Sequence, residues 1–102
     1  MIVVSVLYPN VAGSRFDLDY YRDKHLPLCR ELLAPMALQS LSFYRPTDTD
    51  PAAAFRLVAE LRFPDMEATT AALAAHGPRT QADIPNFTDV TPIILIGSEV
   101  VA

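Results

Sequence analysis

The stretch FRLVAELRF, Phe55–Phe63, alternates without a break. Phe55, Leu57, Ala59, Leu61 and Phe63 point one way, and Arg56, Val58, Glu60 and Arg62 the other, as in a strand with one face on a core. Pro64 ends it, because proline cannot donate to a ladder. Residues 2–8, IVVSVLY, are rich in β-branched side chains and stop at Pro9-Asn10, which predicts a second strand. Residues 37–46 and 90–101 predict two more, and Pro92 puts the last at a strand start or a sheet edge. Residues 47–54, TDTDPAAA, read as a polar turn or hairpin loop.

Two helices lie between the strands. Asp17 is an N-cap and Asp19 adds negative charge to the first turn. Leu18, Tyr21, His25, Leu28, Cys29 and Leu32 then recur at steps of three and four, one helical face that should end near Ala34-Pro35. Asp65 caps an alanine-rich helix over residues 66–76, with Gly77-Pro78 as its stop and His76 as a cation in its last turn. Residues 79–84 add one further turn before Pro85.

The order β-α-β-β-α-β is the ferredoxin-like arrangement, an α+β fold in which both helices cover one face of a four-stranded antiparallel sheet. At 102 residues the chain is a single domain, 1–102. The other sheet face carries Val3, Leu7 and Val58, and the IILI run of the last strand is apolar on both sides. Hydrophobic residues make up 51% of the chain, more than so small an interior hides easily. A second copy of the same sheet is the simplest cover, so a homodimer is expected.

The net charge of −4, with Lys and Arg scattered, argues against nucleic acid and anionic membrane surfaces as partners. Cys29 has no second cysteine to pair with and reads as a small buried hydrophobe. The first ten residues lack a basic leader, and no apolar run approaches the roughly 20 residues that span a bilayer, so a soluble, cytoplasmic protein is expected. There is no phosphate loop, GxSxG or HExxH, and two isolated histidines make a poor metal site. No metal and no cofactor are expected.

His25 is the leading candidate for chemistry, since a neutral imidazole on an apolar stripe can act as a general base near neutral pH. Pro27 removes the N–H that would bond the carbonyl of Asp23 and pushes Leu26 away from helical geometry, so the helix should kink beside His25 and leave carbonyls free to orient the imidazole. The alternative is a buried histidine satisfied by that backbone, without chemistry. Tyr21, one turn before His25, and Tyr8, ending the first strand, either place phenols beside a ligand or form an aromatic core. Tyr20 lies about 100° from Tyr21 around the helix, so the two should not share an environment. Asp83 can pair with His25 or Lys24 and raise the histidine pKa. Asn86 reads as a turn residue with a local bond. Arg56, Glu60 and Arg62 form a solvated or dimer-facing ladder.

Tyr8-Pro9-Asn10, Phe16-Asp17, Tyr20-Tyr21, Lys24-His25 with Pro27-Leu28, His76, and Asp83-Ile84-Pro85-Asn86 with Thr88 together resemble the EthD family, named for ethyl tert-butyl ether degradation, within the dimeric α+β barrel superfamily. The resemblance runs nearly end to end, apart from the loop around residues 46–54. It implies a homodimer with sheets packed face to face, His25 and Tyr21 as catalytic candidates, and Tyr8, Asn10, His76, Asp83 and Asn86 as ligand-binding ones. Some superfamily members bind haem through a histidine, and the contexts of His25 and His76 do not decide that point. The expected function is binding of an apolar or aromatic carbonyl compound, with cofactor-free proton transfer of isomerase, dehydratase, cyclase or monooxygenase type in a degradation or secondary-metabolite pathway. The alternative is a non-catalytic binder or an accessory subunit of an oxygenase.

Overall fold

In the computed structural model, which describes residues 1–47 and 53–100, strand β1 (Ile2–Pro9) lies inside a four-stranded antiparallel sheet of order β2-β3-β1-β4. Its neighbours are β3 (Phe55–Phe63) and β4 (Ile93–Ser98), and β2 (Ser40–Tyr44) pairs with β3. The two helices connect β1 to β2 and β3 to β4, which gives the ferredoxin-like order. β4 begins directly after Pro92 and forms one edge, so the proline removes no interior ladder bond. Most of the expected 47–54 loop, and the end of the expected last strand at residue 101, lie outside the described residues.

The register sorts the two faces. Val4 pairs with Leu61 and Ile96, Val6 with Ala59 and Ile94, and Tyr8 with Leu57, all toward the helices. On the opposite face Tyr44, Val58, Leu7 and Ile93 make one apolar row across all four strands. Tyr44 and Ile93 remain 52% and 46% exposed there. Of the expected ladder, Arg62 contacts Glu60 at 3.7 Å and Glu99, just past β4, at 3.1 Å, while Arg56 donates to the Ser14 carbonyl at 3.4 Å.

The first helix, α1, has three segments: an α turn Leu18–Tyr20, a π turn Tyr21–His25 and an α-helix Leu26–Leu33, closed by a 3-10 turn Ala34–Met36. Asp17 caps it, accepting the Tyr20 N–H at 3.0 Å. The expected distortion before Pro27 is this π turn, in which the Leu26 N–H reaches back to the Tyr21 carbonyl. Leu26 itself stays helical, at φ −63° and ψ −42°, contrary to the strain expected there. A π turn inserts one residue into the helix and so rotates everything after it. The buried stripe therefore continues as Leu26, Cys29 and Leu33, while Leu28 and Leu32 are only half-buried.

The second helix, α2 (Met66–Ala82), runs straight through the expected stop. Asp65 caps it, accepting the Ala68 N–H at 2.8 Å. Two local features make Gly77-Pro78 tolerable. Gly77 has no Cβ to meet the proline ring, and the Thr80 hydroxyl bonds back to the carbonyls of His76 and Gly77 at 3.1 and 3.0 Å. His76 thus sits mid-helix and half-buried, not in a last turn, and cannot serve as a cation at the helix end. Likewise β2 starts later than expected, because Ala37 turns the chain with a left-handed φ of 69°.

Candidate functional site

His25 closes the π turn and is 6% exposed. Its Nδ1 lies 2.9 Å from Oδ2 of Asp83, which arrives from the far end of α2 and is itself buried. The other carboxylate oxygen, Oδ1, accepts from the Tyr20 hydroxyl at 2.8 Å and from the Asn86 amide at 2.9 Å. An ionised carboxylate only accepts, so the Nδ1 position carries the imidazole proton and Nε2 keeps its lone pair. The Cys29 thiol, one turn further along α1, sits 3.5 Å from Nε2 and can only donate to it.

Burial disfavours the imidazolium and lowers the His25 pKa below its ordinary value, while Asp83 opposes that shift without overcoming it. The expectation of a raised histidine pKa is corrected accordingly, because desolvation outweighs the carboxylate. For Asp83, burial acts against the charged form, but hydrogen bonds from Asn86, His25 and Tyr20 prevail and hold its pKa below the usual range. The Cys29 thiol is pushed up to about 11 by burial and by the Asp83 charge, so it stays protonated. The pair is an oriented neutral base beside a fixed anion.

This base faces a cavity of about 300 Å³ between sheet and helices. Tyr8, Tyr21, His25 and Cys29 supply polar atoms to its wall, which is otherwise mostly aliphatic, as at Leu61 and Ile94. The hydroxyls of Tyr8 and Tyr21 share a hydrogen bond, and burial raises both phenol pKa values far above ordinary, so the phenols are donors and never bases here. Phe87 packs against Tyr8, Tyr21 and His25, with ring centroids 5.8, 5.1 and 4.6 Å away. A second, more open pocket of about 390 Å³ adjoins the cavity, with Gln81, Ile84 and Ile94 shared between them.

Of the residues singled out from the sequence, the fold brings Tyr8, Tyr21, His25, Asp83 and Asn86 to this end of the core. Asn86 reaches the site through Asp83 and is otherwise exposed. His76 and Asn10 are not on the cavity wall; the Asn10 N–H bonds the carbonyl of Ala54 at 3.0 Å. Lys24 is exposed and is not the partner of Asp83. The imidazole is held by Asp83 and Cys29, not by carbonyls that Pro27 frees, so that expected role of the backbone is withdrawn. Tyr20 and Tyr21 do share an environment, contrary to expectation: both pack on Phe87, and the hydroxyl of Tyr20 reaches the carboxylate that holds His25. Cys29 and Tyr20 were not singled out as site residues. The i, i+4 spacing of His25 and Cys29 is the available signal for the first; for the second it is the Tyr20-Tyr21 pair of the family resemblance, though nothing local ties Tyr20 to Asp83, 63 residues away. Among the described residues, no group of three or more His, Cys, Asp or Glu side chains could hold a metal ion, and no helix is long and apolar enough to cross a membrane.

The model of the EthD domain matches residues 14–91. An EthD-like protein from Ralstonia eutropha JMP134 is 31% identical and superposes with a TM-score of 0.86 over 98% of this chain and 92% of its own. An ethyl tert-butyl ether degradation (EthD) family protein from Bacillus halodurans C-125 is 21% identical, with a TM-score of 0.69 over 98% and 99%. An antibiotic biosynthesis monooxygenase shares the fold at 20% identity, with a TM-score of 0.55 over 99% and 100%. No curated protein matches in sequence. The fold and the family fit binding of a small molecule. With its ferredoxin-like sheet and a domain match that takes in Tyr20, Tyr21, His25, Cys29, Asp83, Asn86 and Phe87, the chain belongs to the EthD domain family.

Proposed function

We propose that this protein binds a small, largely apolar carbonyl compound in the cavity beside His25 and removes a proton from the carbon next to the carbonyl. The observation behind this reading is the Asp83–His25 pair, whose imidazole lines a mostly apolar cavity. The C–H proton passes to Nε2, and its electron pair moves into the carbonyl to give an enolate. The imidazolium so formed is stabilised by Asp83. Tyr8 and Tyr21 use one hydroxyl proton between them, and the other is available to the enolate oxygen. Where the bound compound carries a β,γ double bond the enolate is a dienolate, and returning the proton from Nε2 to its γ carbon completes an isomerisation without a cofactor.

One observation favours a second reading, a binder without chemistry. The Cys29 thiol occupies Nε2, so both ring nitrogens already have protein partners. A thiol is a weak donor, however, and a ligand displaces it at little cost. A panel of aryl ketones such as 2-tetralone, screened by thermal shift and then followed by NMR in D2O, separates the readings. Enzyme-dependent loss of the α-hydrogen signals, absent in His25→Ala, is expected. Binding without exchange supports the second reading, and no binding by any member of the panel sinks both.

We further propose that a second copy of the chain covers the Tyr44–Val58–Leu7–Ile93 row, as the apolar character of that row and its exposure suggest. Sedimentation equilibrium at micromolar concentration should give twice the 11.2 kDa chain mass. A folded monomer overturns this.

A further inference from the structure

Asp83 spends its two oxygens unequally. Oδ2 meets Nδ1 of His25 alone, whereas Oδ1 takes two neutral donors, from Tyr20 at 2.8 Å and Asn86 at 2.9 Å. The donors come from different elements: Tyr20 from the first turn of α1, and Asn86 from the 3-10 turn Ile84–Asn86 that follows α2. Neither side chain touches the imidazole, and neither lines the cavity.

We propose that Tyr20 and Asn86 are positioning residues that act through Asp83: by holding Oδ1 they draw charge away from Oδ2 and keep His25 a neutral, weakly held base. This deepens the reading of His25 as a proton acceptor and rests on it for its purpose, though not for its test.

The physical argument is one of competition. A carboxylate that already accepts two hydrogen bonds is a poorer acceptor for a third donor, because part of its charge is neutralised by their N–H and O–H dipoles. A poorer acceptor stabilises the imidazolium less, so the imidazole releases its proton at lower pH. Removing either donor leaves Asp83 in place, since its backbone is held separately: its N–H bonds the Thr80 carbonyl at 3.3 Å, and its own carbonyl accepts from the Asn86 N–H at 3.0 Å. What changes is the charge on the side chain. The other titratable groups facing His25 are Tyr21 and Cys29 from its own helix and Tyr8 from β1, all protonated near neutral pH. Arg79, on α2, faces Tyr20. Asp83 is thus the anion that sets the imidazole's behaviour.

The chain has two histidines, so both ring titrations are resolvable by NMR without a ligand. We expect Tyr20→Phe and Asn86→Ala each to raise the His25 pKa, by on the order of half a unit, and the double variant to raise it further. Asp83→Asn should move it the opposite way. The near-UV circular dichroism of all four variants should match wild type, which reports that the fold is intact. A His25 pKa that stays put or falls in the Oδ1 variants, with the circular dichroism unchanged, overturns the proposal. Should Tyr20→Phe fail to fold, Asn86→Ala, at an exposed position, decides alone. Because no substrate enters the measurement, a failed titration and a failed exchange experiment tell different things.

Discussion

The two ends of the core are built on the same sheet face and are filled in opposite ways. At one end Val4, Cys29, Leu33, Leu61, Phe63 and Ala72 pack as a mostly aliphatic cluster, with Phe63 and Ala72 fully buried. At the other, Tyr8, Tyr21, Leu26, Leu57 and Phe87 gather around a polar pair. Rings there meet edge to face, as Tyr8 and Tyr21 do at 5.8 Å and 80°. The cavity touches both clusters: Tyr8, Tyr21 and His25 line it from the ring side, Cys29 from the other cluster, and Thr80 and Gln81 from α2. The contrast teaches that one periodic pattern can build a close-packed core and a polar-edged cavity side by side, and that residue type, not register, separates them.

The largest test strikes the aliphatic end. Phe63→Ala should cost about 3–5 kcal/mol, as large-to-small changes in packed cores do. A urea midpoint that barely moves would mean that this end is as loosely filled as the other.

His25→Ala should cost less, about 1–3 kcal/mol, mainly because Asp83 loses a donor in a buried setting. It should also abolish α-hydrogen exchange in any ketone the protein binds. A large stability loss with exchange intact would turn the aromatic end into ordinary core and erase the distinction.

A smaller effect should appear in the pH dependence of stability. The folded pKa of His25 lies below its ordinary 6.5, so the unfolded chain binds the extra proton first as pH falls, and stability drops on acidification below that value. The folded pKa of Asp83 lies below 3.8, so its contribution is present above that value and is lost only as pH falls through the lower, folded one. Thermal melts from pH 8 downward should show the first loss in wild type and not in His25→Gln. If both proteins lose stability alike above pH 4, the imidazole is not buried in its neutral form.

The smallest test concerns α2, which forms part of the cavity wall at Gly77 and Pro78. A Cβ at Gly77 would meet nothing within 4 Å outside its chain neighbours, so Gly77→Ala should gain about 0.5–1 kcal/mol in a Pro78→Ala background. Beside the native proline ring it should gain less or nothing. Additivity of the two changes would show that the glycine is not there for the proline.

Much of the fold was legible from local pattern. The alternation of Phe55–Phe63, both aspartate caps and the strand-ending prolines each report on neighbours within a few residues, where steric and hydrogen-bonding rules act directly. Gly77-Pro78 misled for the same reason: the pair is a stop by local rules, and the Thr80 hydroxyl, together with packing of α2 on the sheet, overrides them. The stripe on α1 holds at Tyr21, His25 and Cys29 but slips at Leu28 and Leu32, where Leu26 and Leu33 are buried instead, because a π turn has no periodicity of its own to reveal it.

The site divides along the same line. By itself the sequence determined that Tyr21 and His25 share a helix face, that Tyr8 ends a strand on the core side, and that a buried imidazole would be available near neutral pH. These follow from spacing along one element. Which nitrogen carries the proton, and how firmly it is held, was decided in the folded molecule, where Asp83 is brought across 58 residues to Nδ1 and shared there with Tyr20 and Asn86. Nothing in a one-dimensional pattern measures that distance. Desolvation and hydrogen-bond competition act through space, and they exist only once the chain has closed around them.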